Sequence, residues 1–290
     1  MIDWLYLGIY RLFGVVLWIV PAWMVRGLMR GLAWIAYGVS AKHRAIIHHN
    51  LDLAFAHTLT IKQKRTIGVE AFVNLIDTLF GIIKRERLTP QEVLENVTFE
   101  GEEIVRAYQD QGQKIIFVTG HQGNWELLSQ AIALKFDLTL VGVGRKLDSA
   151  VMDEVLKANR ERFNVEMVYK KGAMKGCLKA LSQGKAVGIL IDQAIRKKFS
   201  IGVKLFGYPA THTPLASILS RKFGVALIPA FIHTDDYINY HVTIYEPLPP
   251  IKSEDQERDL IVMTQAQAKV MEQVMRTYPK QWFWMHKRWK

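Results

Sequence analysis

The sequence predicts an α/β protein: a mixed, mostly parallel sheet flanked by helices and preceded by an N-terminal membrane-associated helix. Three observations predict it. Beyond Pro90, short β-branched or apolar runs alternate with segments of helical period, the order that builds βαβ units. Between Ala41 and Pro90 the period is helical throughout. Residues 1–40 hold a long apolar run edged by aromatic and basic side chains. The chain divides accordingly into a membrane anchor (1–40), a helical part (41–90) and an α/β domain (91–290).

From Trp4 to Val25 the chain is almost wholly apolar, interrupted by Arg11 and Pro21. At about 1.5 Å per residue such a helix matches roughly one hydrocarbon thickness. A single span, an in-plane interfacial helix and a buried core helix remain open. Arg11, Arg26 and Arg30, together with Trp4, Trp18, Trp23 and Trp34, suit a membrane interface and favour membrane association. If the segment spans, the charge excess on its C-terminal side places the body of the protein in the cytoplasm. Neither a basic region before the run nor a small-residue cleavage site is present, so a cleaved signal peptide is not expected.

Ala41–Phe55 reads as a helix with His43, His48, His49 and His57 nearby; their spacing matches no metal-ligand set, and a polar helix face accounts for them. Lys62–Ile83 is helical, with Ile67, Phe72, Ile76, Leu79 and Ile83 in phase. Arg85–Pro90 is a charged turn at the domain boundary. Strands follow at Val97–Phe99, Ile115–Thr119, Leu138–Val143, Val165–Tyr169, Ala186–Ile191, Gly202–Phe206, Ala226–His233 and Tyr240–Tyr245, the last two as a hairpin across Asp235-Asp236. Helices fall at Glu102–Gln111, Trp125–Phe136, Ala150–Phe163, Ala173–Gln183, Thr213–Phe223 and Asp259–Thr277, the last stopped by Pro279. In such sheets sites collect beyond the carboxyl ends of the strands, where His121, Arg145 and Asp192 lie.

Lys and Arg number 38 against 27 Asp and Glu, a net charge of +11 with a pI of about 9.6. That balance favours an anionic partner: a phospholipid surface, a phosphorylated substrate, an acidic carrier protein or nucleic acid. No helix-turn-helix, RNA-recognition or zinc-finger motif supports nucleic acid, and the basic residues are spread along the chain. The single Cys177 cannot form an internal disulfide, which fits a reducing compartment.

The G-x-S-x-G elbow, the phosphate loop, the dinucleotide fingerprint and H-E-x-x-H are all absent. What remains is His121 after a buried strand with Glu126 five residues on, a spacing poor for two metal ligands on one helix face. A histidine–carboxylate pair without an enzyme nucleophile makes sense when the substrate brings the nucleophile. Near neutral pH an imidazole accepts the proton of an incoming hydroxyl, and Glu126 is expected to hold its other nitrogen. A strand-end histidine beside an ordinary helix carboxylate is the competing reading of those two residues alone.

The wider sequence separates the two. Gly120-His121-Gln122-Gly123-Asn124-Trp125-Glu126 resembles the H-x4-[DE] motif of the late acyltransferases of lipid A biosynthesis, a branch of the glycerolipid acyltransferases. The resemblance runs over nearly the whole chain. Arg145, Arg160-Glu161-Arg162-Phe163, Leu190-Ile191-Asp192-Gln193, Phe206-Gly207-Tyr208-Pro209-Ala210-Thr211, Ile228-Pro229-Ala230-Phe231 and the tail Pro279-Lys280-Gln281-Trp282-Phe283-Trp284-Met285-His286-Lys287-Arg288-Trp289-Lys290 are similar to its ordered blocks. Gln122 and His212 depart from the pattern. The resemblance implies a glycerolipid acyltransferase-like fold and transfer of a fatty acyl chain from acyl carrier protein to a hydroxyl of a lipid A precursor. No cofactor and no metal are expected, since no ligand set or cofactor motif is present in the sequence. The implied location is the bacterial inner membrane, with the catalytic domain on the cytoplasmic side. His121 and Glu126 are the implied catalytic pair, and Asn124, Arg145, Arg160 and Asp192 the candidate substrate contacts. The same chemistry on a phosphatidylinositol mannoside, a lysophospholipid or an ornithine-type lipid is the alternative; a non-enzymatic basic membrane or nucleic-acid-binding protein is the second.

Overall fold

The computed structural model describes residues 2–289. Four helices come first: α1 (Ile2–Ile19), α2 (Ala22–Val39), α3 (Ala41–Ala54) and α4 (Ile61–Arg85). The N-terminal apolar run is therefore two helices rather than one. Pro21 is the reason: with no N–H to donate and an extended ψ of 146°, it ends one helix and caps the next. One helix among the described residues, α4, is long and apolar enough to cross a membrane, and two-thirds of its apolar stretch is buried inside the protein. Within α1, Tyr6–Ile19 is a shorter apolar stretch. Val25, Met29, Ala33 and Tyr37 turn one face of α2 inward, while Trp18, Ile19, Trp23, Trp34 and Ile35 stand exposed along α1 and α2. Along α4, Ile67, Phe72 and Ile83 are buried as their phase predicts; Leu79 is exposed.

Just after the charged turn, Thr89 caps a short helix to which the sequence assigns no element, α5 (Pro90–Leu94), through a box with Glu92. Then β1 (Val97–Glu100), α6 (Glu102–Asp110), β2 (Ile116–Thr119), α7 (Trp125–Lys135), β3 (Leu140–Gly144), α8 (Ala150–Glu161), β4 (Val165–Tyr169), α9 (Ala173–Ser182) and β5 (Ala186–Leu190) alternate. A small antiparallel hairpin, β6 (Ile201–Leu205) with β7 (Tyr208–His212), stands apart from the sheet; the second of these strands carries no alternation that marks it in the sequence. The chain closes with α10 (Leu215–Phe223), β8 (Leu227–Thr234), β9 (Tyr240–Ile244) and α11 (Gln256–Thr277).

The sheet has seven strands in the order β1-β9-β8-β2-β5-β3-β4. Five of the six pairings are parallel; β8 and β9 form the expected antiparallel hairpin. Helices cover both faces. The larger apolar cluster joins Leu17, Met29 and Phe80 of the N-terminal helices to Val118 and Ile189 of the sheet and Met271 of α11. The second packs α7, through Leu128 and Ile132, on Phe117, Leu140 and Ile228.

The C-terminal segment is packed as a buried strap, with Trp282 and Trp284 only 4% and 1% exposed. Asn50 of α3 donates to the carbonyls of Trp284 and His286, and Asn74 of α4 donates to that of Lys280. The strap grips the loop after β2 directly: Gly123 N–H donates to the Gln281 carbonyl and Phe283 N–H to that of His121, both at 2.9 Å. Gly123 adopts φ +51°, and a Cβ there would lie 2.4 Å from the Ile232 carbonyl oxygen. Both the left-handed backbone and the close approach require glycine. Gly123→Ala is expected to lower stability by about 1–3 kcal/mol, read as a drop in the denaturation midpoint. A midpoint within error of wild type would show that the loop is not held as described.

Candidate active site

Register assembles the first half of the site. β2 and β5 are parallel neighbours with Thr119 opposite Leu190. The residue two beyond each strand end therefore emerges in the same place: His121 from one, Asp192 from the other. Asp192 Oδ1 lies 2.8 Å from His121 Nδ1. Asp192 is almost fully buried and the imidazole is 18% exposed. Trp125 meets the imidazole edge-on with centroids 5.0 Å apart, and Phe283 of the strap lies at 5.8 Å. Gly120 lets Trp282 pack beneath the loop, since a Cβ at that position would sit 2.5 Å from the indole.

Helix packing assembles the second half. Asn124 caps α7 by accepting from Leu127 N–H. The cap puts Glu126 in the first turn, where the helix dipole favours a carboxylate. Across the groove, Gln130 bonds Asn159 of α8, which fixes the two helices side by side. Arg160 then reaches Glu126 with both arms of its guanidinium, Nε to Oε2 at 2.8 Å and Nη2 to Oε1 at 2.5 Å. This is the planar fork that only arginine supplies.

The pairing differs from the sequence expectation in one respect. Asp192, not Glu126, holds the imidazole nitrogen, because the loops after β2 and β5 are adjacent while Glu126 points along α7 toward α8. Glu126 still acts on His121 by charge. Burial pushes the His121 imidazolium down; the Asp192 carboxylate and, further off, Glu126 more than offset it, so the pKa lies above the ordinary value. Burial raises the Glu126 carboxyl, but the bonds and charge of Arg160, with Arg85 and His121, hold it below its usual range. Asp192 is likewise pulled down against burial by His121 and by Arg288.

The other expected contacts are placed as follows. Arg145 lies beyond β3, exposed, and pairs with Asp148. Asn124 is 1% exposed, with its amide spent on the α7 cap and on Asp77 at 3.0 Å. Two residues with no sequence signal for function join the site. Arg85, expected at the start of a charged turn, ends α4 instead, is 4% exposed and lies behind Glu126. Asp77 accepts from Tyr240 and Asn124; burial pushes its carboxyl up to about 6 against those bonds and Arg85. A glycine one turn before Arg85, Gly81, is the one sequence feature that fits an inward-folded arginine.

An apolar cavity of about 80 Å³ opens from Trp125, Glu126 and Arg160 and runs between α7 and the sheet. Leu128, Ile132, Leu140, Val165, Met167 and Leu190 are among the side chains that line it. A charged mouth over an apolar depth is the form a site takes for a ligand with a polar reacting end and a hydrocarbon tail.

The Glu126–Arg160 fork carries the position of Glu126. Arg160→Gln leaves a buried carboxylate unpaired and is expected to cost about 3–5 kcal/mol, whereas Arg160→Lys keeps the charge and costs less. Denaturation midpoints of the two variants check this; an Arg160→Gln midpoint equal to that of the wild type would show that the pair contributes nothing to folding.

A family model described as bacterial lipid A biosynthesis acyltransferase matches residues 1–290. The chain is 27% identical to the lipid A biosynthesis lauroyltransferase of Escherichia coli (strain K12), over 100% of this chain and 91% of that protein. It is 22% identical to the lipid A biosynthesis palmitoleoyltransferase of the same organism, over 86% of this chain and 79% of that one. A lipid A biosynthesis acyltransferase of Shigella flexneri is 22% identical over the same shares. The chain is an acyltransferase and belongs to the bacterial lipid A biosynthesis acyltransferase family.

Proposed function

We propose that this enzyme transfers a fatty acyl chain from acyl carrier protein to a hydroxyl of a lipid A precursor, with His121 as general base. The observation that carries this reading is the His121–Asp192 pair, set beside an ionised Glu126 at the mouth of an apolar cavity. Asp192 accepts from Nδ1–H and so leaves Nε2 for the acceptor. The acceptor hydroxyl gives its proton to Nε2 as its oxygen attacks the thioester carbonyl. The new C–O bond forms, the C–S bond breaks, and the carrier thiolate recovers the proton from the imidazolium. Asp192 and Glu126 stabilise that imidazolium while it lasts. The substrate supplies the nucleophile, in keeping with a sequence that has no nucleophile motif.

The acyl chain enters the cavity under α7. Its free volume is smaller than the roughly 300–1,000 Å³ of pockets that enclose drug-sized ligands, so a long chain displaces side chains as it enters; Met167 is the most adaptable of them. Arg145, exposed at the carboxyl edge of the sheet, is free to meet anionic groups of either substrate beyond its contact with Asp148. Arg160 and Asn124 serve the substrate through what they position: Glu126 in one case, the start of α7 in the other. The net charge of +11 attracts both a phosphorylated lipid and an acidic carrier. Exposed Trp18, Ile19, Trp23, Trp34 and Ile35 support seating α1 and α2 in a membrane interface, on the cytoplasmic face of the inner membrane.

Mass spectrometry of lipid A from cells with and without the gene tests the reading: the expected difference is one acyl group. His121→Ala is expected to lower transfer by about 10²–10⁴-fold with the fold intact, and to leave lipid A at the lighter mass. An unchanged lipid A profile on deletion, or near wild-type turnover in the purified variant, would overturn the proposal.

A further inference from the structure

Behind α7, on the side away from the acyl cavity, lies a second cavity of about 210 Å³. Its lining includes Arg26 of α2, Lys84 and Arg85 of α4, Asp77, Asn124 and Tyr240. The chemistry of this cavity is out of balance. Arg85 is 4% exposed, yet its Nε and Nη2 have no hydrogen-bond partner among the described residues. The carboxylates nearest to it are already committed: both oxygens of Glu126 to the Arg160 fork, and those of Asp77 to Tyr240 and Asn124. Glu92, also on the wall, is spent on the Thr89 capping box. A buried guanidinium left with unused donors costs far more than one that is paired.

The placement is built rather than incidental. Gly81 sits inside α4, where glycine costs about 1 kcal/mol relative to alanine. A Cβ there would lie 2.6 Å from Arg85 Nη1 and 2.7 Å from the Asn124 amide. The glycine makes room for the arginine to fold back into the cavity. Lys84 is held below the ordinary lysine range, first by burial and against the pull of Asp77. Three cations thus line a cavity whose own carboxylates are occupied.

We propose that this cavity binds a phosphate group, with Arg85 as its principal donor and Lys84 and Arg26 as its further cations. A phosphate offers several acceptor oxygens and the negative charge that Arg85 lacks, and a guanidinium meets it with two parallel donors. On the proposed function, the phosphate is that of the acceptor's head group. α2, whose outer face carries exposed Trp23 and Trp34, forms one wall, so a lipid lying in the membrane reaches the cavity from the helix that seats the enzyme there. The cavity then fixes the head group on one side of α7 while its hydroxyl reaches His121 on the other.

Binding measured without turnover tests the site. The full chain in uncharged detergent is titrated with inorganic phosphate and with glucosamine 1-phosphate, followed by ³¹P line broadening and calorimetry. Saturable binding is expected, weakened at least tenfold in Arg85→Gln. Lys84→Gln, at a half-buried position that does not touch Glu126, is expected to weaken it severalfold and keeps the test valid should Arg85→Gln misfold. At least tenfold preference for glucosamine 1-phosphate assigns the site to a lipid head group; equal affinities assign it to free phosphate. No saturable binding of either probe, or binding unchanged in both variants, overturns the proposal. Phosphate binding in a protein that transfers no acyl chain to a lipid A precursor would instead sink the proposed function and leave the site standing.

Discussion

Taking charge out of water at the carboxyl end of the sheet is the constraint on which the rest of this structure depends. Two carboxylates, an imidazole and two guanidinium groups share a small volume, all largely removed from solvent. Each carboxylate survives as an anion only because a specific partner meets it: Asp192 through His121, Glu126 through the Arg160 fork. Remove a partner and the carboxylate must protonate, move or admit water. The same low dielectric that makes the arrangement expensive strengthens each interaction within it. An imidazole between two anions is more basic than one in water, which suits the proposed role of taking a proton from an alcohol.

The scaffold meets this constraint in layers. Strand register brings His121 and Asp192 together, the α7–α8 contact brings Glu126 to Arg160, and the C-terminal strap packs against the loop after β2 with Trp282 and Phe283. The strap continues past the site: Arg288 donates to the Thr211 carbonyl and lies against His212, and the His286 ring accepts from Ala194 N–H at 2.9 Å. Those contacts tie the loop after β5, which carries Asp192, to the β6–β7 hairpin. Burial and the Arg288 charge push His212 down to about 3, so it stays neutral and serves packing rather than proton transfer. The N-terminal helices complete the molecule from the other side. They are as much part of the core, through Leu17, Met29 and Tyr37, as they are carriers of an exposed aromatic face.

Much of this was legible in the sequence where the signal is local. Alternating β-branched and helical segments located the elements of the sheet, and the strand-end positions of His121 and Asp192 placed both at one edge. What the sequence could not show is the pairing. That His121 belongs with Asp192 follows from β5 lying next to β2, a non-local fact, since β3 and β4 intervene along the chain yet lie outside β5 in the sheet. Glu126, close in sequence, looked the natural partner but is turned by α7 toward α8. Arg85 was hidden for the opposite reason. A basic pair ending an apolar helix reads as a solvated terminus, and only tertiary packing turns the arginine inward. The split at Pro21 was visible as a residue; its effect, two helices in place of one run, needed the backbone.

The pH dependence of kcat/KM in the wild type and in Asp192→Asn tests the central claim most directly. With His121 as the proposed general base, transfer requires the neutral imidazole; its folded pKa is raised, so the rate is expected to climb with pH through a pKa above the ordinary value of about 6.5. Asparagine removes the charge that raises this pKa while keeping the side chain's shape. In Asp192→Asn the acid limb is expected to move to lower pH and the plateau rate to fall with it, because the imidazolium loses its partner. A limb that stays where it was, or that moves instead in Arg160→Lys, would contradict the assignment of Asp192 as the group that holds the base.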